Sequence, residues 1–277
     1  MLKLIAQRER GQLITVPREK FAEPPIVSPR ESVRSRAKQL NLRLRLPNFF
    51  LLSLSVGATA LLVDAVNAKE VPWIYKARPL YIGRIGRTSV GVIWAAPGAA
   101  LTAVVMEDMI ASGVTTFIGV GTLGAIQSFV ETGDVIVPSL AVRDEGASYH
   151  YLPKHDAARP SKKTFKVIVD SCQKSGLKHY VGPIWTTDAP YRETRSKIRH
   201  FKREGVLGVD METSVIFSLG KYRRVETGCI LVAGENLNRP NPPGPFYRDE
   251  LRKSLSRAVD VAVESVSNSQ TTTLRRT

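Results

Sequence analysis

Cysteine is nearly absent from this 277-residue chain. Cys172 and Cys229 supply neither a disulfide framework nor a metal-ligand cluster, which makes a reducing, cytoplasmic setting the expectation. Histidine is scarce too, and His150, His155, His179 and His200 show no zinc spacing, so no metal site is expected. No early apolar core marks a signal peptide, and Glu9, Glu19 and Glu23 argue against a transit sequence. One uncharged stretch, Leu46 to Val63, approaches the length of a membrane span. Ser55 and Gly57 in its middle suit instead a buried strand, a turn and a helix from about Ala58, so no membrane partner is expected. Internal repeats and domain-splitting linkers are also lacking.

Positive charge is abundant: 40 Lys and Arg face 25 Asp and Glu, for a net charge of +15. Such a field attracts phosphate-bearing ligands, nucleic acid or acidic surfaces without choosing among them. Much of it sits early, where Arg30, Arg34, Arg36, Lys38, Arg43 and Arg45 are opposed locally only by Glu31. Aromatic residues are not interleaved there, so the stretch offers no base-stacking platform and reads as a solvated basic face or a subunit contact.

Residues 1–45 read as a basic, proline-punctuated arm followed by a helix at Glu31–Leu40 that starts from Ser28 or Pro29. Residues 46–266 form the body, and residues 267–277 a polar tail expected to fray. Within the body, Leu80–Ile85 and Ser89–Trp94 read as a hairpin around Gly86-Arg87. Helix Ala99–Ser112, strand Thr115–Val120, strand Val135–Pro138, helix Ser161–Ser175, strand Tyr180–Thr186 and helix Arg192–Glu204 follow. Strand Cys229–Val232 and helix Tyr247–Val266 come last. This alternation points to one α/β sandwich.

Two stretches carry chemistry. Gly205 to Phe217 begins as an apolar run, turns polar at Asp210-Met211-Glu212 and resumes apolar at helical spacing through Val215, Ile216 and Leu219. A strand that runs into a helix start exposes backbone donors to a ligand, and paired carboxylates there suit the hydroxyls of a sugar. The same carboxylates also suit plain helix capping, and the residues alone leave both readings open. Phe117-Ile118-Gly119-Val120-Gly121-Thr122-Leu123-Gly124-Ala125 ends a buried strand with three glycines and a hydroxyl, which lets the backbone approach an anion or sugar.

Asp210-Met211-Glu212-Thr213 resembles the Val-Glu-Met-Glu-Ser/Ala segment of the nucleoside phosphorylase superfamily. The Gly119–Ala125 stretch with Gly133-Asp134-Val135-Ile136-Val137-Pro138 resembles its Gly-Thr-x-Gly-Ala … Gly-Asp-Val-Val-Ile-Pro block. Asp144-Glu145-Gly146-Ala147-Ser148-Tyr149-His150-Tyr151 and Thr187-Asp188-Ala189-Pro190-Tyr191-Arg192-Glu193-Thr194 look most like uridine-phosphorylase-type members. The resemblance covers about residues 80–240. It implies a single-domain three-layer α/β/α sandwich around a mixed central sheet, and an enzyme that cleaves the N-glycosidic bond of a nucleoside with phosphate. It also implies a homo-oligomer built from dimers, commonly a hexamer, with no metal or organic cofactor.

Carried residue by residue, the resemblance gives ribose to Met211 and Glu212, with Asp210 where Glu is usual. It gives phosphate to Gly57, Gly121 and Thr122, and the base to Gly124, Arg192 and Thr194. Glu235 stands where purine-cleaving members have an acid that protonates the departing base; a positioned acid contributes about 10²–10⁴-fold at such a step. Two departures favour alternatives. Gly119 replaces an arginine that binds the attacking phosphate, and Leu54-Ser55-Val56-Gly57-Ala58-Thr59 replaces a Gly-Asp-Pro-x-Arg loop without keeping the arginine. Lys76, Arg78 or an arm arginine of a neighbouring subunit would have to compensate. A nucleosidase using water needs none of these cations, and a non-catalytic nucleoside- or nucleic-acid-binding relative is the third reading.

Overall fold

The structure, a computed structural model, describes residues 21–95, 97–238 and 249–274, with side chains to Ser269. The arm residues 1–20, the proline-rich segment beyond Asn238, and the start of the last expected helix lie outside the described residues.

Helix α1 (Pro29–Gln39) begins where its sequence says: the Ser28 side chain accepts from the Glu31 amide at 3.4 Å, and Pro29 occupies the first turn. Strand β1 (Phe49–Ser53) and helix α2 (Val56–Ala65) divide the uncharged stretch, with Ser55 capping the Ala58 amide at 3.3 Å. β1 is enclosed on both sides by parallel neighbours, which is why Phe50-Leu51-Leu52 reads as a continuous apolar run. None of the described helices is long and apolar enough to cross a membrane. The edge strand β2 (Lys69–Val71), not expected from sequence, precedes the hairpin β3 (Leu80–Ile85) and β4 (Thr88–Trp94), which turns at Gly86 with φ 58°.

Helix α3 (Ala99–Ala111), β5 (Thr116–Ala125), β6 (Val135–Asp144), α4 (Lys162–Lys174), β7 (His179–Thr187) and α5 (Arg195–Arg203) follow. They lead to β8 (Gly208–Asp210), α6 (Thr213–Arg223), β9 (Glu226–Asn236) and α7 (Asp249–Leu274). The nine strands form one mixed sheet in the order β2-β3-β4-β1-β5-β8-β7-β6-β9. Because β9 pairs with both β6 and β5, the last five strands close on themselves. One face is covered by α1, α3 and α6 around Phe117, Phe217 and Met106. The other is covered by α2, α4 and α7 around Leu51, Ile230 and Val259. This is the expected three-layer sandwich.

Several boundaries differ from expectation for a common reason. β5, β6 and β9 run well past their predicted ends, because ladder partners continue to satisfy the backbone where the sequence shows glycine or polar residues. The Gly119–Gly124 stretch and Glu235 therefore lie within paired strands. The helix expected from Arg192 begins at Arg195, since a short 3₁₀ turn at Pro190–Arg192 comes first. α7 continues to Leu274, beyond the expected end at Val266; Ser265 and Ser269 are buried along it and bond back to the carbonyls of Val261 and Ser265.

Candidate active site

β1, β4, β5 and β9 are parallel, so their C-terminal ends share one edge of the sheet. β8 enters antiparallel to β5, with Val209 opposite Gly124, and runs back from the C-terminal end of β5, carrying Asp210-Met211-Glu212 toward the level at which β1 and β4 end. Ligands of open α/β sheets collect at such an edge.

The two carboxylates of this junction have different partners. Asp210 is buried; one oxygen accepts from the Thr186 hydroxyl at 2.7 Å, and the other from the amide of Thr213, at 3.0 Å, and from its hydroxyl. The next amide of α6, Ser214, donates to the Thr186 hydroxyl, and the Ser214 hydroxyl donates to buried Glu145 at 2.8 Å. Asp210 thus ties α6 to β7 and β8, which is the capping reading. Glu212 is also buried, yet one of its oxygens reaches across to the Gly98 amide at 2.7 Å and the other takes the Met211 amide at 3.3 Å. Gly98 sits at the entry to α3 with φ 99°, a conformation that strains any other residue. Burial, and then the charge of Asp210, push Glu212 up to about 8; among the described residues, no cation influences it. Burial thus favours the protonated form of this carboxyl, in which it can donate as well as accept.

Opposite this junction the strand ends are apolar. Leu54, just past β1, donates its amide to the Val120 carbonyl at 2.9 Å and lies against β5. A Cβ on Gly121 would stand 2.6 Å from the Leu54 Cβ; one on Gly119 would stand 2.8 Å from the Cys229 Sγ and 3.3 Å from Leu54 Cδ1. The space an arginine at 119 would cross is filled by Leu54, Cys229 and Ile216. Of the three residues assigned to phosphate, Gly121 and half-buried Thr122 lie on this edge, while Gly57 is exposed in the first turn of α2, facing Leu255. The loop residue at β5 is Leu54. Lys76 and Arg78 lie between β2 and β3, where they line a cavity with Trp73 and Leu40.

On the base side, Glu235 is half-buried near the end of β9, paired in register with Gly124. Burial raises its pKa. Glu193, at the end of the 3₁₀ turn before α5, is half-buried beside it. Desolvation and then the charge of Glu235 push Glu193 up to about 7, with Lys197 opposing. Arg192 is exposed, and Thr194 caps α5 by accepting from the Lys197 amide at 3.4 Å. Sequence reasoning missed Leu54, Gly98 and Glu193. Only Glu193 carried a signal, a carboxylate between a proline turn and a helix cap.

A sequence profile of the Phosphorylase superfamily matches residues 51–267. Among curated relatives, a guanosine phosphorylase of Halorubrum lacusprofundi is 29% identical over 173 residues, covering 61% of this chain and 72% of its own. A uridine phosphorylase of Treponema pallidum is 29% identical over 197 residues, covering 67% and 75%. Among solved structures, a uridine phosphorylase from Vibrio fischeri superposes with a TM-score of 0.71 at 24% identity, over 80% of this chain and 92% of that one, a likeness of fold. With the profile spanning most of the body and the same sheet edge built from the matched motifs, the chain belongs to the phosphorylase superfamily.

Proposed function

We propose that this protein cleaves the N-glycosidic bond of a nucleoside. The observation that carries the proposal is Glu212, a buried carboxyl that accepts from the Gly98 and Met211 amides where β8 runs into α6. Glu212 and Met211 would hold the ribose, and Asp210 would act by fixing the α6 entry that presents them. Departure of the base builds positive charge on the sugar and negative charge on the base. Glu235, with Glu193 keeping a proton nearby, would supply the acid on that side. Arg192 and Thr194 would border the base, whereas Gly124, assigned to the base from sequence, is covered by Leu237 and Val209: a Cβ there would stand 2.9 Å from Leu237 Cδ1.

Phosphate as acceptor, giving free base and ribose 1-phosphate, follows the names of the relatives. One observation favours water instead, giving free ribose. A phosphate dianion is best held by guanidinium groups, whereas Leu54 and Cys229 fill the space below Gly119 and Gly121, and among the described residues no cation acts on Glu212. No metal or organic cofactor enters either reading. The homo-oligomer, a hexamer built from dimers, is proposed on kinship; exposed Val56 and Tyr191 suit cover by a second subunit. Uridine, inosine, adenosine, guanosine and methylthioadenosine should be incubated with and without phosphate, with base release followed by chromatography. Release in both conditions supports hydrolysis, and release only with phosphate establishes phosphorolysis. Release from none of them would overturn the proposal.

A further inference from the structure

Arg30, Arg34 and Lys38 recur every fourth residue of α1, so they form one row about 12 Å long, beside the buried seam of Val33 and Ala37. The chain turns at Asn41 with φ 53°, and the next segment alternates. Leu42, Leu44 and Leu46 pack on the core while Arg43 and Arg45 are exposed. All five cations are exposed, and none has an ion pair or side-chain hydrogen bond among the described residues. Elsewhere Lys166, Lys174, Lys178, Lys197, Lys221 and Arg223 each meet a carboxylate, at 2.6 to 2.9 Å. Arg36 is engaged over the Tyr75 ring, 4.8 Å from its centroid, and is not part of the row.

The five charges are therefore held on a packed frame; Glu31 is exposed on the same helix, while Glu23, Glu107 and Asp108 line the cavity beside Pro29, Ser32 and Arg36, and none of the described carboxylates forms an ion pair with the five. Two copies meeting through this face would oppose like charges. Four of the five are arginines, whose fork takes phosphate oxygens in pairs. We propose that this face of α1 and the segment 42–46 binds the phosphodiester backbone of nucleic acid. With no aromatic side chain between residues 26 and 46, binding is independent of base sequence.

The test is fluorescence anisotropy of a labelled single-stranded 20-nucleotide RNA with the full-length protein, from 50 to 300 mM salt. Contacts from five cations predict a log–log salt slope of about −3.5, at about −0.7 per phosphate neutralised. The triple variant Arg30→Gln, Arg34→Gln, Lys38→Gln should lose about two units of that slope. The comparison variant Arg195→Gln, Arg199→Gln, Arg203→Gln removes a second exposed row, on α5, and should keep it. Thermal melts establish that both variants fold. Equal losses in the two variants would make the effect one of overall charge and overturn the assignment. So would absence of RNA binding, or capture by phosphatidylserine vesicles without RNA binding, to which exposed Ile26 and Val27 would contribute.

Discussion

The β8–α6 junction and the ends of β1 and β5 face one another across the same sheet edge and are built on opposite principles. The junction is polar: Asp210, Thr186, Thr213, Ser214 and Glu145 satisfy one another in a buried network, and Glu212 extends from it to Gly98. The strand ends are apolar and tightly filled, with Leu54 against two glycines. A buried polar network holds a carboxyl in one orientation only while every member stays partnered. A filled apolar contact excludes an ion and its water altogether. The contrast teaches that one half of this edge is arranged to hold hydroxyls, and that the other half is closed to an anion coming from beneath.

The comparison breaks most easily at Glu212. Replacement by Ala should lower kcat/KM for base release by about 10²-fold or more, in the range seen when a single buried polar group of an active site is removed. Full turnover by a folded Glu212→Ala protein would move the ribose site elsewhere. Gly119→Arg probes the apolar half. Its Cβ alone overlaps the Cys229 sulfur, so the variant should lose about 2–3 kcal/mol in urea unfolding, the usual scale of overpacking. Adding Leu54→Gly should recover part of that loss, and a strictly additive double variant would show that Leu54 does not fill the space.

Asp210→Ala separates scaffold from site. It strands the Thr213 amide and the Thr186 hydroxyl and should cost about 1–3 kcal/mol, with the larger change in stability rather than in the KM of the remaining folded protein. The smallest effect is with pH. Glu212 has a folded pKa of about 8, above its unfolded value, so the native state holds the extra proton between them. Its contribution is intact at pH 4 and is lost as the pH rises toward 8, and Asp210 is shifted in the same direction. The unfolding free energy should therefore fall from pH 5 to 8, and Glu212→Gln should flatten the curve. An unchanged slope in Glu212→Gln would assign the titration to another group.

Much of the frame was legible before folding. Ser28-Pro29 marks a helix start by capping chemistry, Gly86 a hairpin by its backbone freedom, and Phe50-Leu51-Leu52 a doubly covered strand by its unbroken apolarity. Asp210-Met211-Glu212 stood out because a polar break between two apolar runs is conspicuous in one dimension. The division of labour within it was not visible, since both carboxylates have the same local pattern. Which one caps and which one reaches Gly98 depends on β8 running antiparallel to β5, a pairing between residues about 85 apart in sequence (Gly124 with Val209).

Leu54 shows the same boundary from the other side. An isolated leucine after a strand says only that the position is apolar, and the glycine assigned to phosphate, Gly57, turned out to face Leu255 from α2. The sequence by itself determined the alternation of elements, the family motifs and the unneutralised row on α1, because periodicity, capping and charge are properties of neighbours along the chain. The tertiary structure alone decided that Glu193 approaches Glu235 and that Leu54 lies over Gly121. It alone buried Glu212 and pushed its pKa up. Desolvation and close packing arise only between residues that folding brings together from distant parts of the chain.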